Sequence, residues 1–304
     1  MQRAATGFAC LALLAALAAC SPRENESGAV AGADQTTMQK AIATKKIRVG
    51  YANEAPFAYQ DPASGRLTGE APEIARVVLS RMGIVEVQGV LTEFGALIPG
   101  LQAGRFDIIA AGMYVLPPRC RQIAFSNPTY GISDAFAVEA GNPKGVHGYG
   151  DIAGKPELKL GVVTGAVENG YAKALGVKPD QLLIFPDAPS ALEGLKSGRI
   201  DAYAGTRLTV ESLLDKAGGG MESAQPFTEP VIDGHKARGY GAFGFRKEDK
   251  DFVNAFNAQL KGFIGSSDHL KLVHPFGFGP GDMPGPVTAD QLCHEPNAQE
   301  HIDG

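Results

Sequence analysis

The chain has 304 residues, 28 Lys and Arg against 33 Asp and Glu, a formal net charge of −5 and 44% hydrophobic residues. That length exceeds what one hydrophobic core usually organises and points to two lobes. The acidic balance disfavours nucleic acid and anionic membrane surfaces as partners.

The first twenty residues, MQRAATGFACLALLAALAAC, join a short basic head to a Leu/Ala stretch too short to span a bilayer permanently, and end in Leu17-Ala18-Ala19-Cys20. They resemble the bacterial lipoprotein signal. That resemblance implies a signal peptide over residues 1–19, acylation of Cys20, and a membrane contact made through the lipid alone at the periplasm or cell surface. A plain secretory signal cleaved nearby is the alternative. Residues 20–44 begin with the polar run SPRENESGAVAGADQTT and read as a lipid-anchored linker. Cys10 leaves with the signal and Cys20 goes to the lipid, so Cys120 and Cys293 remain in an oxidising compartment. They are expected to form a disulfide; two buried free thiols are the alternative. No cluster of His and Cys lies beside either, so no metal site is expected.

From residue 46 short apolar runs alternate with helical patterns. KIRVGYA reads as a strand, GEAPEIARVVLSRMG as a helix ended by Gly83, VEVQGVL as a strand, FGALIPGLQAG as a short helix and FDIIAAGMY as a third strand. After FSNPTYGISDAFAVEAGNP the scheme restarts: KLGVVTG, QLLIFPD and IDAYAG as strands, with AVENGYAKALG, APSALEGLKSG and RLTVESLLDKA as helices. Such alternation predicts an α/β protein with mostly parallel sheets. Extended segments near FAVEAGNP and GYGAFGFRKED make two hinge crossings, and the helix KDFVNAFNAQLKGFIGS closes the first lobe. Lobe 1 is expected over 45–138 and 244–295, lobe 2 over 139–243, and a C-terminal tail over 296–304. A ligand cleft lies between the lobes.

Catalytic and cofactor signatures are lacking: there is no phosphate loop, dinucleotide fingerprint, zinc-protease helix or nucleophile elbow, and no histidine pairs with a nucleophile. The predicted strands instead carry aromatic and charged residues to their carboxyl ends, where open α/β sheets place ligands. Glu54 and Phe57 follow the first strand, Phe94 the second, and Tyr114 and Arg119 the third. Across the cleft Gly165 leads a strand into a helix whose unpaired N–H groups suit a carboxylate; an ordinary strand-to-helix turn is the alternative.

The segment GLQAGRFDIIAAGMYVLPPRCRQIAFSNPTY resembles the family 3 solute-binding proteins of ABC transporters, and the likeness extends over residues 45–295. It implies a two-lobed type II periplasmic binding protein fold, no cofactor, no enzymatic activity, a monomer, a permease as partner, and Arg119 as the holder of a ligand carboxylate. Guanidinium suits that task because its planar fork makes two charge-assisted bonds to one carboxylate. Amino-acid binders in this family usually carry Thr where Tyr114 stands, Asp where Thr206 stands, and Gly-Thr where Gly165-Ala166 stands. The missing Asp removes the usual ammonium partner, although Glu168 or Asp187 is placed to substitute for it. ANEAPF, EFGALIPGLQAGR, AGMYVLPPRC, AVEAGNPKG and the closing QLC are similar to the ectoine and hydroxyectoine binding proteins of the family. That likeness implies a small zwitterionic ligand held by a cage of Phe57, Phe94 and Tyr114, with Glu54 accepting from its amidinium. A receptor for a polar or basic amino acid is one alternative, and an enzyme resembling the periplasmic cyclohexadienyl dehydratases is another.

Overall fold

Thr36 and Gln39 cap one another, each side chain accepting from the other's backbone N–H at 3.1 and 3.3 Å, and this starts helix α1 (Thr37–Thr44). The computed structural model describes residues 35–294 apart from Asp233 and the side chain of His235; segment 1–19, Cys20 with the stretch to 34, and the tail 296–304 lie outside the described residues. The expected linker over 20–44 is corrected at its end. Ala41 is buried, Thr36 Oγ1 donates to Asp251 Oδ2 at 2.8 Å, and Arg246 donates to Thr37 Oγ1 at 2.9 Å, so α1 is docked on the protein.

Strand β1 (Lys46–Tyr51) follows, then a short hairpin of β2 (Tyr59–Gln60) and β3 (Leu67–Thr68). Helix α2 (Glu70–Arg81) buries Ile74, Ala75, Val78 and Leu79 on one face, the stripe its periodicity predicts. Next come β4 (Glu86–Leu91), α3 (Leu97–Gln102), β5 (Ile108–Tyr114), α4 (Pro117–Gln122), β6 (Ala124–Phe125) and β7 (Tyr130–Ile132). The second lobe carries β8 (Asp134–Glu139), α5 (Tyr149–Gly154), β9 (Leu160–Val163), α6 (Glu168–Ala174), β10 (Leu182–Phe185), α7 (Ala188–Lys196), β11 (Ala202–Thr206), α8 (Arg207–Ala217) and β12 (Met221–Ser223). A hairpin of β13 (Val231–Ile232) and β14 (His235–Lys236) precedes β15 (Gly239–Phe245), α9 (Lys250–Leu260), α10 (Ser267–Val273) and α11 (Ala289–His294). Among the described residues no helix is long and apolar enough to cross a membrane.

Each lobe is built on one open sheet, ordered β4-β1-β5-β15-β6 with β7 beside β15 in the first and β10-β9-β11-β8-β12 in the second. This is the two-lobed type II binding-protein fold. Three strands of each sheet run parallel, but β15 is antiparallel to β5, β6 and β7, and β8 is antiparallel to β11 and β12. The sheets are therefore mixed rather than mostly parallel. The two antiparallel strands are those that follow a lobe change, and each runs opposite to its parallel neighbours. The expected boundaries shift accordingly: residues 134–138 belong to the second sheet and 239–243 to the first, so the crossings fall just before β8 and just before β15. Periodicity finds strands without saying which sheet they join.

Cys120 on α4 and Cys293 on α11 form a disulfide across 173 residues, beside a cluster in which Ala289 and Leu292 are buried. Loss of the bridge by Cys293→Ser should cost about 2 to 5 kcal/mol. Differential scanning calorimetry should then show a midpoint lowered by roughly 5 to 15 °C; an unchanged midpoint would mean that packing of α11 alone secures this end of the chain.

Candidate ligand-binding site

Strand exits from both lobes converge on one cavity. After β1, Glu54 and Ala58 exchange both backbone hydrogen bonds at 2.8 and 2.9 Å, which folds the chain so that Glu54 and Phe57 reach the same wall. Phe94 follows β4, Tyr114 ends β5, and Arg119 stands one helical turn further on in α4, where Pro117 and Pro118 open the helix. The second lobe contributes Val163 from the end of β9, Ala166, Val167 and Glu168 from the start of α6, and Tyr203 to Thr206 from β11. Every one of these parallel strands points its carboxyl end at the ligand space, as open α/β sheets do.

The aromatic residues lie in slots left by glycines. Gly112 has φ +67, and a Cβ there would sit 2.7 Å from the Phe57 ring; only glycine supplies both that backbone and that room. The Tyr114 ring covers Gly239 and the Tyr130 ring covers Gly241, each where a Cβ would collide with it. Tyr130 backs the wall: its ring centroid is 5.1 Å from Phe57, 6.3 Å from Tyr114 and 5.3 Å from Phe278, and its hydroxyl donates to the Gly112 carbonyl at 2.7 Å. Phe57 and Tyr114 are 2% and 3% exposed, so they offer narrow ring surfaces to a closed space. The Tyr114 hydroxyl is buried and has no hydrogen-bond partner among the described residues.

Arg119 is buried between the lobes. Its Nη1 donates to the Tyr114 carbonyl at 3.0 Å, its Nη2 crosses to the Gly165 carbonyl at 2.8 Å, and its guanidinium carbon stands 5.6 Å from the Phe94 ring centre. Acids surround this cation. Burial pushes the Glu54 carboxyl above its ordinary range, and a 2.7 Å bond from the Thr209 hydroxyl pulls it part of the way back. Glu168 is driven well above its ordinary value by burial and then by the charge of Asp134, with Arg119 acting the other way. Burial raises Asp134 to about 7, opposed by the Tyr149 hydroxyl, which donates to it at 2.8 Å. Glu54, Glu168 and Arg119 on the wall, with rings between them, suit a compact molecule carrying one anionic group and one diffuse cation.

Six of the seven residues singled out for ligand contact lie on the cavity wall: Glu54, Phe57, Phe94, Tyr114, Arg119 and Glu168. Gly165 does not. Its carbonyl accepts from Arg119, its φ is +76, and a Cβ on it would stand 2.8 Å from the Gly95 Cα of the other lobe. The helix that follows, α6, begins at Glu168, and Ala166, Val167 and Glu168 at its start lie on the wall. Asp187 is off the wall and caps α7 by accepting from Ser190 N–H at 2.7 Å. Thr206 caps α8 and donates to Thr209. Tyr203, Thr209, Asp134 and the backing residue Tyr130 were not singled out, although each lies in a stretch read as a strand, a helix or a connection: IDAYAG, RLTVESLLDKA and FSNPTYGISDAFAVEAGNP. Among the described residues no group of three or more His, Cys, Asp or Glu side chains is placed to hold a metal ion.

Comparison with known proteins gives the same architecture. The family model for bacterial extracellular solute-binding proteins, family 3, matches residues 47–276. The probable amino-acid ABC transporter periplasmic-binding protein y4tE of Sinorhizobium fredii (strain NBRC 101917 / NGR234) is 36% identical over 271 residues, 88% of this chain and 88% of its own. The crystal structure of EhuB in complex with hydroxyectoine superposes with a TM-score of 0.77 at 34% identity, covering 85% of this chain and 98% of that one. The ancestral amino-acid-binding protein AncCDT-1, a precursor of cyclohexadienyl dehydratase, superposes with a TM-score of 0.68 at 25% identity, covering 80% and 99%.

The ring slots lead to a paired prediction. Gly239→Ala should force the Tyr114 ring aside and cost about 1 to 3 kcal/mol by overpacking. Gly150→Ala, in α5 with open space around it, should be neutral or stabilise by up to about 1 kcal/mol. Thermal unfolding of the two variants reads the contrast, and equal midpoints would show that the Tyr114 slot is not tight.

Proposed function

The chain belongs to the bacterial extracellular solute-binding proteins of family 3, and we propose that the solute it receives is ectoine or hydroxyectoine. As a family member it works outside the cytoplasm, binds a small molecule and serves the permease of an ABC importer. The reading is carried by one observation: Phe57, Phe94 and Tyr114 share a cavity wall with Arg119 and Glu54, while position 206 carries a threonine. Ectoine is a cyclic zwitterion whose positive charge is spread over an amidinium. Ring faces suit such a cation, each contact contributing about 0.5 to 2 kcal/mol when desolvated. Glu54 accepts from an amidinium N–H, and Arg119 holds the carboxylate through charge-assisted bonds of about 1.5 to 3 kcal/mol each. The 34% identity to EhuB, solved with hydroxyectoine, supports this assignment. Acylation of Cys20 and a monomeric receptor belong to the same proposal, and intact mass of the membrane-extracted protein tests the first.

Glu168 favours a second reading. It is a buried acid on the wall of the opposite lobe, where it would receive the ammonium of an α-amino acid in place of the acid missing at 206. The name of y4tE leans the same way. A dehydratase would also draw its acid from Glu54 or Glu168, and turnover of prephenate or arogenate by the purified protein tests that.

A thermal-shift screen of the soluble domain against ectoine, hydroxyectoine, betaine, proline and the common amino acids should single out the ectoines, because a ligand that binds only the folded state raises its stability by mass action. A shift confined to an amino acid would replace the ectoine assignment. Arg119→Ala should abolish binding by leaving the carboxylate unpaired, and Phe57→Ala or Tyr114→Ala should weaken ectoine at least about tenfold in titration calorimetry.

A further inference from the structure

Glu54 and Thr209 face one another from opposite lobes, the first on the turn after β1 and the second in the first turn of α8. Thr209 Oγ1 donates to Glu54 Oε1 at 2.7 Å and accepts from Thr206 Oγ1 at 2.8 Å, while Thr206 Oγ1 accepts from Thr209 N–H at 3.4 Å. An ionised carboxylate can only accept, so the single proton of Thr209 is committed to Glu54 and its oxygen to the Thr206 proton. The chain of bonds has one direction, and it ends on the ligand wall.

The helix itself does not require this hydroxyl. Thr206 alone caps α8, and a side chain at the third helical position that serves its own helix would reach back to the cap residue's N–H. Thr209 instead crosses the cleft and is 0% exposed there. Glu54 lines the cavity, and its Oε2 has no protein partner among the described residues. We propose that Thr209 is a positioning residue for Glu54, occupying one carboxylate oxygen so that the other is presented to the ligand's cationic N–H when the lobes close. The proposal rests on the reading of Glu54 as the acceptor for that cation.

A pH signature separates positioning from mere packing. Burial raises the Glu54 carboxyl and the Thr209 bond is the opposing influence. Around Glu54 stand Tyr130 from its own lobe and Glu168 and Tyr203 from the other, each coupled to it through charge, with Arg119 on the same wall. Cation binding needs Glu54 ionised, so affinity is full above the pH at which this acid titrates and is lost as pH falls through it. Removing the Thr209 hydroxyl moves that loss to higher pH.

The experiment measures ectoine affinity by titration calorimetry from pH 5 to 9 for wild type and, on a Glu168→Gln background in which this second acid does not titrate, for the parent, Thr209→Val and Thr209→Ser. Thr209→Val should weaken ectoine at least about tenfold near neutral pH and move the acid limb up by about one unit or more, and Thr209→Ser should restore both. A uniform loss at every pH, or the same loss in the serine variant, overturns the proposal. If the wild type does not bind ectoine, the ligand assignment falls, and a carbon-13 titration of the Glu54 carboxyl in protein closed on the ligand that the thermal-shift screen selects decides the role of Thr209. A higher titration point in Thr209→Val than in Thr209→Ser supports it, and equal titration points overturn it.

Discussion

A guanidinium only 8% exposed persists where its N–H groups find acceptors, because an unmatched buried charge costs several kcal/mol. Arg119 takes acceptors from both sides of the cleft, the Tyr114 carbonyl from its own lobe and the Gly165 carbonyl from the other. Closure and satisfaction of this cation are therefore one event. The close approach that makes it possible is backbone against backbone, Gly95 meeting Gly165 with no room for a Cβ on the latter. A side chain on Gly165 would hold the lobes apart and pull the carbonyl away from the arginine, and the residue matters to the site for this reason although it is off the wall.

The second constraint is an excess of acid. Burial raises the carboxyls of Glu54, Glu168 and Asp134, and Glu168 is raised further by the charges of Asp134 and Glu54. Hydroxyls moderate this: Tyr149 donates to Asp134 and Thr209 to Glu54. Glu168, raised by burial and by the charge of Asp134, has Arg119 as its counterweight. A ligand bringing a positive charge relieves the same repulsion, and an anion without one meets two carboxyls on the wall.

Much of this was legible in the chain. Tyr114 and Arg119 lie five residues apart at a strand exit, and a strand followed by a Pro-opened turn of helix brings both to the same wall. Glu54, Phe57 and Phe94 follow predicted strands, whose carboxyl ends are where such sheets hold ligands. What escaped depends on pairing between distant segments. Nothing local in DAFAVE or GYGAFGF says which sheet it joins, so the antiparallel entries of β8 and β15 and the crossings beside them were misplaced by a few residues. Thr37–Thr44 looked like a tether because its composition is polar, yet one buried alanine and a reciprocal cap are enough to dock it. Thr209 carries no motif at all. Its importance comes from a residue 155 positions away, and only the closed arrangement brings the two together.

The division of labour between the lobes follows from where the supports lie. On the first lobe Phe57, Tyr114 and Tyr130 are wedged over Gly112, Gly239 and Gly241, Phe278 packs behind them, and the Cys120–Cys293 disulfide ties the helix that carries Arg119 to α11. Phe57, Tyr114 and Tyr130 are thus set by contacts within that lobe, while Arg119 and Phe94 also touch the second lobe. The second lobe adds the Gly165 carbonyl, the Thr209 hydroxyl and Glu168, groups that meet their first-lobe partners only across the cleft. A ligand finds a rigid, preorganised face on one side and a set of closing contacts on the other. The ordering cost of binding then falls mainly on the hinge rather than on the side chains, an arrangement that favours affinity because rotamers are already fixed.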